Sequence, residues 1–118
     1  MKWIDTIGGL YSLDRITFLN FRHLKDCDYS GIELEAEDKY GKPCTLVSFG
    51  IDEIKDYAEI SDITLDFSDK DTERKFLTNI INSMQDRLID FLEDESKVFN
   101  ITGDLIESIE EEAKCMIS

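Results

Sequence analysis

One histidine, three cysteines and 27 carboxylates are the side chains of this sequence with the most chemistry to offer. His23 stands between Arg22 and Lys25 in a β-rich stretch, with no serine or cysteine motif beside it. A general base needs a proton donor within hydrogen-bond reach, so the expectation is a histidine at a surface or rim. Cys27, Cys44 and Cys115 are odd in number and widely scattered, with no CxxC and only His23 as a further ligand. That pattern excludes a structural zinc site and, in a reducing compartment, a disulfide framework. No recurring basic neighbourhood is present to stabilise a thiolate, so each cysteine is expected to be a small core or boundary residue. Gly8-Gly9 lacks the wider glycine pattern of a phosphate-binding loop. Asp66, Asp69 and Asp71 lack the Gly and terminal Glu of a calcium loop and precede a stretch they could cap as a helix. With no catalytic residue, cofactor motif or metal ligand set, the sequence points away from an enzyme.

The carboxylates are informative as a population. Net charge is −14, and it is unevenly placed. Residues 1–50 hold eight acids and six bases, and residues 51–118 hold nineteen acids and seven bases, so the second part carries −12. Such a field repels phosphates and anionic membranes and attracts basic surfaces; direct nucleic-acid binding is therefore discounted. Three acidic stripes stand out. Asn79, Asn82, Asp86, Asp90 and Glu93 recur at helical spacing, Glu107, Glu110, Glu111 and Glu112 crowd a second helix, and Glu33, Glu35 and Glu37 alternate along a strand. Solvated faces would explain any one stripe, but their coincidence suggests a docking surface. The candidate partner-binding residues are Asn82, Asp86, Asp90, Glu93, Glu107, Glu110, Glu111, Glu33, Glu35 and Glu37.

Strands first and helices second is the layout of an α+β domain, expected here as an antiparallel sheet with a central hairpin packed against two C-terminal amphipathic helices. A single domain over 1–118 fits the length. Trp3, Ile4, Ile7 and Leu10 suggest a short first helix stopped by Gly8-Gly9, and Ile16–Leu24 a strand. Ile32, Leu34 and Ala36 alternate with glutamates, and Val47, Phe49 and Ile51 answer them after Tyr40-Gly41. A hairpin pairing Leu34 with Val47 and Ile32 with Phe49 keeps both apolar sets on one face, with Gly41 supplying positive φ and Pro43 marking an edge. Residues 52–59 read as a connection or helical turn, and 62–67 as a further strand because Ile63, Leu65 and Phe67 alternate. Leu77, Ile80, Ile81, Met84, Leu88, Phe91 and Leu92 mark the apolar stripe of a helix over about 72–93, which Ser68, Asp69 or Asp71 could cap. Val98–Ile101 reads as a short strand or link. Thr102 would then cap a last helix with Leu105, Ile106, Ile109, Ala113, Met116 and Ile117 on one face.

The opening residues lack the basic start, apolar stretch and cleavage site of a signal peptide, and no run approaches a membrane span. A cytoplasmic protein is expected, in which the Asn100-Ile101-Thr102 glycosylation pattern is a chance match. In its acidity, its size, its Met1-Lys2-Trp3-Ile4 start, its Ile32–Phe49 hairpin and its strands-then-helices layout, the chain resembles the bacterial immunity proteins that neutralise toxins in bacterial competition. The resemblance is one of type over the whole chain. It implies a basic protein partner, best fitted by a nuclease toxin, whose phosphate-gripping site is cationic. The alternatives are a nucleic-acid mimic blocking a restriction or CRISPR enzyme, and an acidic adaptor or oligomeric scaffold.

Overall fold

The computed structural model describes residues 1–24 and 30–117, apart from the side chains of Met116 and Ile117; Cys27 lies outside the described residues. Along the chain run β1 (Trp3–Thr6), β2 (Gly9–Ser12), a 3-10 turn (Leu13–Arg15), β3 (Ile16–His23), β4 (Gly31–Asp38) and β5 (Pro43–Gly50). There follow α1 (Ile51–Ile60), α2 (Lys70–Glu93), β6 (Val98–Asn100) and α3 (Ile101–Ile117). The architecture is α+β, with α2 and α3 packed on the strands. β3, β4 and β5 form an antiparallel meander, and β2, β1 and β6 form a second small sheet.

The hairpin has the expected register. Leu34 lies opposite Val47 and Ile32 opposite Phe49. Gly41 adopts φ +77° in the turn, where a side chain would be strained. Asp38 accepts from the Tyr40 and Lys42 amides at 2.8 and 2.9 Å, which holds its carboxyl below the usual range. Pro43 opens β5, which is an edge strand as expected. Beyond Leu34 the register shifts, leaving Leu46 as the extra residue between Val47 and Thr45 and giving the edge a bulge that discourages further pairing.

Two expected elements are corrected. Residues 3–10 form a hairpin instead of a helix. The Thr6 hydroxyl donates to Gly9 O at 2.9 Å and accepts from Gly8 N at 3.2 Å, closing the turn that Gly8-Gly9 makes possible. Ile4 alone of the apolar residues proposed for that helix is fully buried, while Ile7 and Leu10 are exposed. Among the described residues, 62–67 pair with no strand; Leu65 is buried and Ile63 and Phe67 half-buried, so their alternation reports packing without a ladder. The connection 52–59 lies within a full helix, α1.

Asp69 caps α2, accepting from Thr72 N at 2.8 Å, and α2 buries Phe76, Leu77, Ile80, Met84, Leu88 and Phe91. Leu92, expected on that stripe, is exposed. In the first turn Glu73 is buried with its Oε1 unbonded, 3.8 Å from Lys70 Nζ; its place at the helix's positive end favours the charge. Asn100 caps α3 through Gly103 N at 3.0 Å, the role expected of Thr102. Gln85 Oε1 accepts from Phe21 N at 3.0 Å, satisfying a donor on the open edge of β3.

The far end of α2 is closed by the start of the chain. Lys2 Nζ donates to Phe91 O at 2.7 Å, Asp94 O at 2.9 Å and Ser96 O at 2.6 Å, and lies 4.4 Å from the centre of the Phe91 ring. Phe91 O lies in the last turn of a helix that has no basic residue there, and Asp94 O and Ser96 O lie just beyond its end. A cation is what the negative end of a helix requires. β1 pairs parallel with β6, and Trp3 N donates to Lys97 O at 2.8 Å. Lys2→Met should lower unfolding free energy by about 1–3 kcal/mol, the scale for a multiply bonded charged group. Lys97→Met should change it by less than about 0.5 kcal/mol, and urea titration of both variants compares them.

Candidate functional site

The α2–α3 helix pair carries most of the predicted partner-binding residues. The two helices run antiparallel, and Ser108, fully buried between them, holds the crossing. Its hydroxyl donates to Met84 Sδ at 3.4 Å and accepts from Ser83 Oγ at 2.9 Å. The small side chain lets the backbones approach, and Leu88, Leu105 and Ile109 fill the remaining core around it.

One turn further along α2, Arg87 reaches across to three carboxylates of α3. Its Nη1 lies 3.2 Å from Asp104 and 2.7 Å from Glu107, and its Nη2 lies 2.8 Å from Glu111. The guanidinium fork suits such a ladder because its donors are spread in one plane. Burial raises the Asp104 carboxyl above its usual range, and Arg87 opposes that rise. Arg87 is the one base in the second half of α2, a signal that the acidic stripes taken by themselves do not carry.

Beside this ladder lies an open groove of about 750 Å³. Asn79, Asn82, Asp86 and Asp90 line it from α2, and Glu111 and Glu112 from α3. Asp86 and Asp90 are exposed, and among the described residues neither they nor Glu112 forms an ion pair. The one cation lining the groove, Arg87, is already shared by three acids. Like charges held without a counterion produce a strong negative potential in a concave site.

The other predicted residues fall elsewhere. Glu93 is exposed at the end of α2, outside the groove. Glu107 is held by Arg87. Glu110 turns to the opposite side of α3, where it accepts from Ser61 Oγ at 2.6 Å. On the hairpin, Arg22 of β3 neutralises Glu33 at 2.5 Å and Glu35 at 2.9 Å, and Glu33 is buried. Glu37, half-buried, lies opposite Phe18. Asn82, Asp86, Asp90 and Glu111 are thus brought together, while Glu33 and Glu35 of the hairpin pair with Arg22 of β3.

His23 Nε2 lies 2.9 Å from Thr78 Oγ1, whose own proton goes to Arg74 O at 2.9 Å. Assigned from that network, Nε2 carries hydrogen and the ring ties β3 to α2. Burial first, then the Arg74 charge, lower its pKa from 6.5. Cys44 and Cys115, expected in the core or at its boundary, are both exposed. No helix among the described residues is long and apolar enough to cross a membrane. Comparison with protein-family models, with curated proteins and with solved structures gives no match to this chain.

Two variants test the electrostatics. Arg87→Met should cost about 1–3 kcal/mol at neutral pH. The loss should shrink as pH falls towards 4, because Asp104, whose carboxyl burial raises, then protonates and no longer needs the guanidinium; urea unfolding at both pH values measures it. His23 has a depressed folded pKa, so its contribution is complete above 6.5 and is lost as pH falls through the lower folded value. His23→Gln should flatten that part of the stability profile, read by thermal unfolding from pH 7 to 5.

Proposed function

We propose that the protein binds a basic partner protein across the α2–α3 groove and inhibits it, and that a nuclease toxin fits this role best. The reading rests chiefly on the unpaired acids of the groove. Folding has supplied one arginine to bind Asp104, Glu107 and Glu111, yet leaves Asp86, Asp90 and Glu112 without a cation in the described chain.

The placement of these acids supports it further. Asp86, Asp90 and Glu93 occupy the second half of α2, and its last turn holds no base. Acids there oppose the helix dipole, at a few tenths of a kcal/mol each when exposed. A surface that gains nothing in stability from its charge is well suited to gain it in association, because complementary fields accelerate encounter and fix orientation. Cationic nuclease sites, built to grip phosphates, offer such a complement, and covering one would exclude its substrate.

The test is capture of the partner from the native cell at low salt, followed by binding and nuclease assays with the purified proteins. The account expects a basic partner, inhibition near equimolar ratio, and an association rate that falls steeply with added salt. Charge reversal at Asp86, Asp90 and Glu93 should lower affinity at least about 100-fold while leaving the folded state intact. An acidic partner, salt-insensitive binding or undiminished affinity in that variant would refute it.

A further inference from the structure

On the exposed face of α2, bases stand towards one end and acids towards the other. Lys75, Asn79, Asn82, Asp86, Asp90 and Glu93 follow one another along it at steps of three and four residues, and all six are exposed. The row is acidic in its second half, neutral at the two asparagines and basic at Lys75. Arg74, also exposed, stands beside Lys75, and the two line an open hollow of about 450 Å³ with Asp71, Thr78 and Asn79. Asn79 lines the acidic groove as well, so hollow and groove are continuous. Among the described residues neither Arg74 nor Lys75 forms an ion pair.

The spacing makes this face complementary to itself. At about 1.5 Å per residue, Lys75 and Arg74 lie about 16 to 24 Å along the axis from Asp86 and Asp90 of their own helix. That is too far to pair within one chain. Turned end for end about a point between Asn79 and Asn82, however, the face sets Lys75 against Asp86 and Asp90, and Arg74 against Asp90. An antiparallel second helix also places the positive end of each α2 beside the negative end of the other. A surface that meets its own copy in this way closes a twofold dimer. Asp71 is the one mismatch, since it falls opposite Glu93.

We infer that a second copy of this chain pairs with the first through α2, antiparallel about Asn79 and Asn82, with Arg74 and Lys75 of each copy on Asp86 and Asp90 of the other. The inference goes beyond the proposed function, because pairing needs no toxin. It adds that a basic partner displaces the second copy from the groove. The contact is the polar face of a single helix, so the pair belongs to the weak, transient class, and the chain is monomeric when dilute. Each copy carries −14, but at physiological salt that general repulsion is screened beyond about 8 Å. The facing bases and acids approach more closely than that.

Sedimentation equilibrium of the whole chain in about 0.15 M salt, from about 10 µM to 1 mM protein, tests the pairing. The mass should rise with concentration from 13.7 kDa towards twice that value. Two variants, Arg74→Glu with Lys75→Glu and Asp86→Lys with Asp90→Lys, should each raise the dissociation constant at least about tenfold. All four positions are exposed, and circular dichroism checks that the fold is kept. Mixed in equal amounts, the two variants should recover the parent's affinity, because opposite charges then meet at both contacts. Asp71→Asn should tighten the parent pair. A parent that stays monomeric throughout, a mixture that associates no better than its components, or growth beyond a dimer would overturn the inference. The Arg74→Glu, Lys75→Glu variant keeps every acid of the groove, so its capture of a basic partner tests the groove reading separately.

Discussion

Two acidic helices, α2 and α3, must lie side by side for this fold to close, and Arg87 makes that possible. Ser108 allows their backbones to approach, and the apolar groups around it supply the driving force. Packing alone would still set partly buried Asp104 and exposed Glu107 and Glu111 side by side as a row of like charges. The guanidinium removes that difficulty by meeting all three. In doing so it becomes unavailable to the adjoining groove, where Asp86, Asp90 and Glu112 stay unneutralised. The interaction that permits folding therefore also concentrates the surface charge left over.

A comparable economy governs the ends of the chain. Helix α2 finishes in an acidic stretch with no base of its own, and the cation it lacks arrives from residue 2. The parallel β1–β6 pair fixes that residue in place.

The features legible in the sequence were those decided locally. The hairpin register followed from keeping Ile32, Leu34, Val47 and Phe49 on one face, since a slip by one would turn the strand over. The apolar stripe from Leu77 to Leu92 marks α2 in the same way, with Ser68, Asp69 and Asp71 all able to cap it and the fold using Asp69. Periodicity misled where few residues carried it: Trp3, Ile4, Ile7 and Leu10 fit helical spacing, yet Gly8-Gly9 and the Thr6 hydroxyl favour a turn between strands. Residues 62–67 alternate because one side packs, and nothing in a sequence says whether a partner strand is present. Lys2, Arg22 and Arg87 were missed as charge partners for a different reason. Their acids stand on other elements, and only the tertiary fold decides which stripes are neutralised. In sequence the hairpin glutamates are as available as Asp86 and Asp90; in the fold Arg22 stands against Glu33 and Glu35.

The account thus separates acids that the fold uses from acids that it merely tolerates. Asp104, Glu107, Glu111, Glu33 and Glu35 belong to the first group through their ion pairs. Asp86, Asp90 and Glu112 belong to the second. Surfaces kept for function are commonly suboptimal for stability. The most direct measurement is the urea midpoint, at low ionic strength, of a variant carrying Asp86→Asn, Asp90→Asn and Glu112→Gln. The account predicts a midpoint equal to or above that of the parent, because neutralisation relieves repulsion that no cation offsets. A clearly lower midpoint would mean that these carboxylates hold the fold together, and would contradict the assignment of the groove to a partner.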